Sequence, residues 1–176
     1  MDGVIVDNAS LKMSVARDLG FTLRLKDTPS EVIKEVLPSH TLRKLQKIIY
    51  EDPEVSLMPP LMKGIKTILS GIKKKKLSYY LISRRKVPDV AISLLKKHGL
   101  WPSYFNEKNS FFVSEPEDKD KIAAQLGITH YIDDQVKVIN ALSSVKNKFL
   151  FDSLDIFKDA DHYIKVKSWA DMSKRF

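Results

Sequence analysis

Strand and helix patterns alternate in residues 111–151, which read FFVSEPEDKDKIAAQLGITHYIDDQVKVINALSSVKNKFLF. Short runs of β-branched or aromatic residues indicate strands, and apolar residues at helical spacing indicate the helices between them. The predicted strands are 111–113, 129–132 and 148–151, and the predicted helices are 119–126 and 136–144. Strands that alternate with helices in this way form a parallel sheet, so the sequence predicts a three-layer α/β/α, Rossmann-like fold. Sheets of this kind bind ligands at the carboxyl ends of their strands.

The alternation continues on both sides of this stretch. Helical spacing at 61–76 and 87–98 surrounds a predicted strand at 77–82, and a last strand is predicted at 163–166. The β-branched run at 3–6 predicts a first strand, followed by a helix that ends at Gly20. Residues 21–58 show helical spacing without a strand signal. We therefore expect an α/β core domain of residues 1–20 and 59–176, with a small helical cap insertion at 21–58.

Composition narrows the possible functions. The 176 residues are 43% hydrophobic, which is ordinary for one folded domain, and the chain contains no cysteine. It shows neither a signal peptide nor a run long enough to span a membrane, so a cytoplasmic location without membrane association is expected. The net charge of +8 favours an anionic partner. A nucleic acid is disfavoured, because the basic run 73–76 closes a helix and no aromatic residues are interleaved with it. The sequence does not determine the oligomeric state.

Polar residues follow several of the predicted strands. Asp2 and Asp7 bracket the first strand, Ser83 ends the second, and the pair Asp133-Asp134 follows the fourth. Each of these residues has a simpler explanation, since Asp and Ser often cap helices. Lys119, which opens a nearby predicted helix, could likewise be an ordinary surface lysine. Adjacent acids after a buried strand nevertheless repel each other unless a cation lies between them, and oxygen ligands suit Mg²⁺. Their joint placement favours a site for phosphate and Mg²⁺.

Four motifs in order resemble those of the haloacid dehalogenase (HAD) superfamily. Residues 1–7, MDGVIVD, are similar to its first motif, Asp-x-Asp-Gly-Val/Thr-hydrophobic-hydrophobic-Asp, without the leading aspartate. Residues 81–83, LIS, resemble the second motif, a strand that ends in Ser or Thr. Lys119 resembles the third motif and residues 131–134, YIDD, the fourth.

The resemblance implies a Mg²⁺-dependent phosphohydrolase, phosphatase-like, that acts on a small phosphorylated metabolite. Asp2 would act as general acid and base and hold Mg²⁺ through its carbonyl, together with Asp133 and Asp134. Ser83 and Lys119 would bind the transferred phosphoryl group, with Lys121 as the alternative lysine. The substrate would also contact Gly3, Arg84 and Arg85. The two arginines would be available for a second anionic group on it.

The chain also departs from the HAD pattern. The nucleophilic aspartate of the superfamily lies two positions before Asp2, which here precedes Met1, and a gap in the middle of the sheet is expected. Three explanations remain: truncation at the first motif, an inactive relative, or a shifted register in which Asp7 is the nucleophile and Ala9 replaces the general acid. Truncation or inactivity is favoured. The alternative function is therefore a catalytically inactive HAD-like binding or regulatory module with an anion-binding pocket.

Overall fold

The computed structural model describes residues 1–175, which alternate between helices and short strands. The α-helices are α1 (Ala9–Asp18), α2 (Ser30–Val36), α3 (Ser39–Glu51), α4 (Ile65–Lys74), α5 (Pro88–Lys97), α6 (Pro116–Gln125), α7 (Val136–Ala141) and α8 (Trp169–Met172). The strands are β1 (Leu81–Ser83), β2 (Ser110–Phe112), β3 (His130–Asp133), β4 (Asn147–Phe151) and β5 (Ile164–Val166). Short 3₁₀ turns lie at Leu25–Asp27, Val55–Leu57 and Ser173–Arg175.

All of the paired strands are parallel. β1 pairs with β2, with Leu81 opposite Ser110, and β3, β4 and β5 form a second group in that order. Helices connect β1 to β2, β2 to β3 and β3 to β4, as parallel connections usually require, whereas residues 152–163 join β4 to β5 without a helix. The fold is therefore the predicted three-layer α/β/α, Rossmann-like type.

The two sheets are separated by an apolar opening of about 670 Å³, which we call the central cleft. It is lined by both β1 and β3, with Met1 and Val4 also on its wall. Within residues 1–175, β1 and β3 are not hydrogen-bonded to each other as strands. The cleft lies in the middle of the sheet, where the HAD resemblance predicts a gap.

Residues 3–6 form a turn, so the strand predicted there is wrong. Gly3 has a φ of +73°, and its N–H donates to the Val6 carbonyl at 2.9 Å. The Met1 carbonyl accepts from the N–H of Ile5 at 2.8 Å. Val4, Ile5 and Val6 are all buried, which explains the β-branched residues without requiring a strand. The shifted register with Asp7 as nucleophile depended on that strand, and Asp7 instead follows the turn and accepts the N–H of Ala9 at 2.9 Å.

The apolar faces of α4 and α5 pack against the core of the sheet. Ile65 and Leu69 of α4 and Leu94 of α5 are at most 4% exposed and belong to one apolar cluster. Full burial of one such side chain contributes about 1.5–3 kcal/mol to the stability of the fold. The indole N–H of Trp169 in α8 donates to the Val4 carbonyl at 2.8 Å, which ties the end of the chain to the N-terminal turn.

Residues 21–58 contain α2, α3 and two of the 3₁₀ turns, and this segment contributes no strand to either sheet. The buried face of α3, with Leu45 and Ile49, packs with Leu11 and Val15 of α1 in an apolar cluster separate from that of the sheet. The division into a core and a cap at 20/21 and 58/59 stays a prediction. None of the helices in residues 1–175 has the length and apolar character needed to cross a bilayer.

Candidate functional site

Ser83 is the last residue of β1 and Asp133 is the last residue of β3, so each lies at the carboxyl end of a strand in a parallel pair. Ser83 is 2% exposed and Asp133 is 4% exposed, so both side chains are removed from bulk water. The Ser83 carbonyl accepts the N–H of Val113, which holds the end of β1 against the loop after β2. The sheet thus fixes a hydroxyl and a carboxylate on rigid elements.

Lys119 and Asp133 form a buried ion pair. The Nζ of Lys119, in α6, donates to Oδ2 of Asp133 at 2.6 Å, and the other carboxylate oxygen accepts the N–H of Gln135. The two side chains are only 5% and 6% exposed. The alternative, Lys121, is 72% exposed and pairs with Asp118. The structure therefore brings Lys119, and not Lys121, to the strand ends.

Asp134 lies against Gly3. A Cβ placed on Gly3 would approach Oδ2 of Asp134 to 2.2 Å, and Gly3 has a φ of +73°, so glycine is required here for two reasons. Burial, reinforced by the neighbouring charge of Asp133, raises the pKa of Asp134 to about 7. The α-amino group of Met1, Lys12 and Lys119 oppose this rise. A cation bound beside a carboxyl group with a raised pKa would stabilise its ionised form.

Asp2 is held by Arg85 and Asn8. Nε and Nη2 of Arg85 donate to the two carboxylate oxygens of Asp2 at 2.9 and 2.7 Å, and Nδ2 of Asn8 donates at 2.7 Å. Burial would raise the pKa of Asp2, but the charge and hydrogen bonds of Arg85 outweigh it and lower the pKa to about 2. In this arrangement Asp2 is an ionised hydrogen-bond acceptor that neither gives nor takes a proton near neutral pH.

Arg85 also connects this site to α3. Its guanidinium lies 4.7 Å from the centre of the Tyr50 ring, and Nη1 donates to the Tyr50 carbonyl at 3.4 Å. The Arg85 side chain is 3% exposed. Of the predicted substrate-binding residues, Arg84 is exposed, whereas Arg85 is engaged with Asp2 and Tyr50.

The carboxylates fit the requirements of Mg²⁺ in part. Within residues 1–175 no group of three or more His, Cys, Asp or Glu side chains is arranged to hold a metal ion. Mg²⁺ is nevertheless commonly bound through one or two carboxylates, with water and substrate phosphate completing its shell. Asp133 and Asp134 supply such a pair, and burial together with the charge of Asp133 raises the pKa of Asp134 to about 7. The predicted metal contact of Asp2 is through its backbone carbonyl, and its carboxylate is bound to Arg85.

A cavity of about 240 Å³ opens beside Asp134, and we call it the Lys12 cavity. Its wall includes Gly3, Asp7, Asn8, Lys12, Thr28, Asp134 and Asp152. Lys12 is 8% exposed, and its Nζ donates to the Thr28 carbonyl at 2.8 Å. Sequence reasoning missed Lys12, because a lysine beside the apolar positions of an amphipathic helix usually lies in solvent.

Glu31 is a second residue that the sequence did not indicate. Its two carboxylate oxygens accept the N–H groups of Val136 and Lys137 at 2.9 and 2.8 Å. These contacts attach α2 to the start of α7, two residues after Asp134. No local pattern marks Glu31, since its partners are more than 100 positions away in the chain.

Several solved structures share the fold of this chain. A protein proposed to be a beta-phosphoglucomutase, from Thermotoga maritima, aligns over 99% of this chain and 96% of its own, at 15% identity and a TM-score of 0.63. A HAD hydrolase of family IA, variant 3, from Entamoeba histolytica aligns over 97% and 91%, at 11% identity and a TM-score of 0.61. A hydrolase from Streptococcus pneumoniae covers 88% and 90%, at 18% identity and a TM-score of 0.56.

No protein-family profile matches the chain, and no curated protein sequence matches it. At identities this low the structural likeness establishes the fold, and activity must be argued from the site. The chain has the HAD-like fold, as the four sequence motifs predicted.

Proposed function

We propose that this chain carries the site of a Mg²⁺-dependent phosphohydrolase that acts on a small phosphorylated metabolite. The observation that supports this most directly is the buried Lys119–Asp133 pair, which lies with Asp134 and Ser83 at the carboxyl ends of parallel strands. An ammonium, a hydroxyl and two carboxylates on one rigid edge can bind a phosphoryl group and a divalent cation together.

Each residue has a role in this proposal. Lys119 neutralises charge on the phosphoryl oxygens, and Ser83 donates a hydrogen bond to one of them. Asp133 orients Lys119 through the 2.6 Å contact. Asp133 and Asp134 would hold Mg²⁺, which when bound supplies Lewis-acid stabilisation of phosphoryl charge. Residues 21–58 would cover the substrate as a cap, with Glu31 fastening α2 near Asp134.

Asp2 needs a rearrangement to take part in proton transfer. Its carboxylate must leave Arg85, because the bidentate pair keeps its pKa near 2. The covalent route that the HAD resemblance implies also needs an aspartate two positions before Asp2. Turnover thus depends on both Asp2 and that nucleophile, whereas binding depends only on Ser83, Lys119 and the Asp133-Asp134 pair.

A phosphate-binding module without turnover is the second candidate. The observation that favours it is the engagement of Asp2 by Arg85 and Asn8, which occupies the group expected to act as acid and base. Such a module would retain the Lys119–Asp133 pair and the pocket beside it.

The two candidates are separated by measuring phosphate binding and turnover on the same samples. Calorimetry with inorganic phosphate and Mg²⁺ reports the site, and hydrolysis of an aryl phosphate reports activity. Lys119→Met should abolish both signals, and Lys121→Met, at an exposed position of the same helix, should change neither. Binding without Mg²⁺-dependent turnover, even after an apolar strand that ends in Asp is added before Met1, would favour the second candidate. If the wild-type chain binds no phosphate in Mg²⁺, both candidates fail.

A further inference from the structure

Lys12 is a buried cation that the proposed phosphoryl site does not use. It projects from α1 into the Lys12 cavity, and its one hydrogen bond within residues 1–175 goes to the Thr28 carbonyl at 2.8 Å. An ammonium group has three N–H donors, so two remain for other partners. No carboxylate in residues 1–175 forms an ion pair with it. Burying an ammonium with few partners is costly, which suggests a ligand role.

The cavity as a whole is acidic. The carboxylates of Asp7, Asp134 and Asp152 lie on its wall with the single ammonium of Lys12. Even when Asp134 is assigned to a metal ion, two carboxylates face one ammonium. Apart from the metal ion, a second anionic group on the substrate would therefore meet more negative than positive charge on the cavity wall.

We propose that the Lys12 cavity is the subsite for the leaving group of the substrate, and that Lys12 selects a neutral, hydroxyl-bearing leaving group. The substrate class is then a small phosphorylated polyol. This inference rests on the proposed function, because Asp134 joins the phosphoryl site to the cavity wall.

Hydrogen-bonding chemistry favours hydroxyl groups in this cavity. A hydroxyl accepts from Lys12 through its oxygen and donates to a carboxylate through its proton, whereas a carboxylate ligand can only accept. Asn8 adds to the acceptors: its Nδ2 donates to Asp2, and its buried Oδ1 has no partner within residues 1–175.

The size of the cavity limits the leaving group. Its volume of about 240 Å³ is below the roughly 300–1,000 Å³ of pockets for drug-sized ligands. A leaving group of a few carbon atoms fits, and Leu25 and Met62 provide apolar surface for its carbon chain.

The test compares three phosphate esters of similar size by calorimetry in Mg²⁺. Glycerol 3-phosphate and n-propyl phosphate have the same number of carbon atoms and differ in hydroxyl groups, and phosphoglycolate carries a carboxylate instead. The wild-type chain should bind glycerol 3-phosphate about tenfold more tightly than n-propyl phosphate, as expected for a hydrogen bond to a charged group. Phosphoglycolate should bind more weakly than glycerol 3-phosphate.

Lys12→Met should remove this preference and change the affinity for n-propyl phosphate less than twofold. Lys12→Arg should retain part of it, and Lys44→Met, at an exposed position on α3, should leave it intact. Circular dichroism verifies that each variant is folded. The inference is overturned if the wild type prefers phosphoglycolate, or if Lys12→Met weakens the glycerol and propyl esters equally. If inorganic phosphate binds but the esters are not distinguished, only this inference fails; if nothing binds, the proposed function fails with it.

Discussion

Replacing Asp134 with asparagine should stabilise the metal-free protein above neutral pH. Burial and the charge of Asp133 raise the pKa of Asp134 from 3.8 to about 7. A difference of about three pH units corresponds to at most about 4 kcal/mol. Because Asp134 is only partly buried and shares the site with Asp133, about 2 kcal/mol is the value expected after solvent screening. Asparagine retains the shape of the side chain and cannot ionise.

The pH dependence has a defined sign. Between about pH 4 and pH 7 the folded chain holds a proton on Asp134 that the unfolded chain has lost, so the wild-type stability falls as the pH rises. The advantage of Asp134→Asn should therefore be largest near pH 8 and disappear towards pH 4. For a chain of this size, about 2 kcal/mol corresponds to a rise in Tm of about 4–8 °C.

The difference in Tm between the wild type and Asp134→Asn is measured by thermal unfolding, followed by circular dichroism. The measurements are made with a chelator present, from pH 4 to pH 8. The control is Asp161→Asn, which removes a carboxylate from an exposed position. Added Mg²⁺ should raise the Tm of the wild type and have little effect on Asp134→Asn, since a bound ligand stabilises only the form that binds it. The prediction is wrong if Asp134→Asn is less stable than the wild type at pH 8, or if the difference in Tm does not shrink on acidification.

Three further substitutions test the contacts around the site. Arg85→Met should destabilise the chain by about 3–5 kcal/mol in urea, because it leaves the partly buried Asp2 without its ion pair, whereas Arg84→Met at an exposed position should have little effect. Lys119→Met should cost a similar amount by leaving Asp133 uncompensated, and an unchanged urea midpoint would contradict the buried pair. Glu31→Gln should weaken the attachment of α2 to α7 by about 1 kcal/mol, seen as faster hydrogen exchange at residues 136–137 than in Glu35→Gln.

Much of the fold was predictable from local patterns. The strands that end at Ser83 and Asp133 were found because apolar runs of a few residues were followed by polar ones. Both end within one residue of the predicted position, although the first was predicted to begin at 77 and begins at Leu81. The strand predicted at residues 3–6 was wrong, because the same β-branched residues form a buried turn that depends on Gly3. Burial and extended backbone give the same signal in a run this short.

The site was predictable as a set of residues but not as a set of contacts. The motifs located Asp2, Lys119 and Asp133, yet no spacing rule indicated that Arg85 would hold Asp2 across 83 positions of sequence. Lys12 was missed for a related reason, since its burial depends on the Thr28 loop closing over α1. Such contacts are decided by tertiary packing, which local patterns do not encode.

The central cleft has a consequence for how the protein behaves in concentrated solution. Residues of both β1 and β3 line it, and neighbouring walls are apolar side chains such as Leu69 and Trp169. Interior strands normally have both edges covered, and an uncovered edge is a template for an added strand from another chain. Here two such edges face one opening, so intermolecular strand addition is favoured at the centre of the sheet rather than at its rim. Conditions that keep molecules apart, such as low concentration and the mutual repulsion of a +8 chain at low salt, should therefore limit this strand addition.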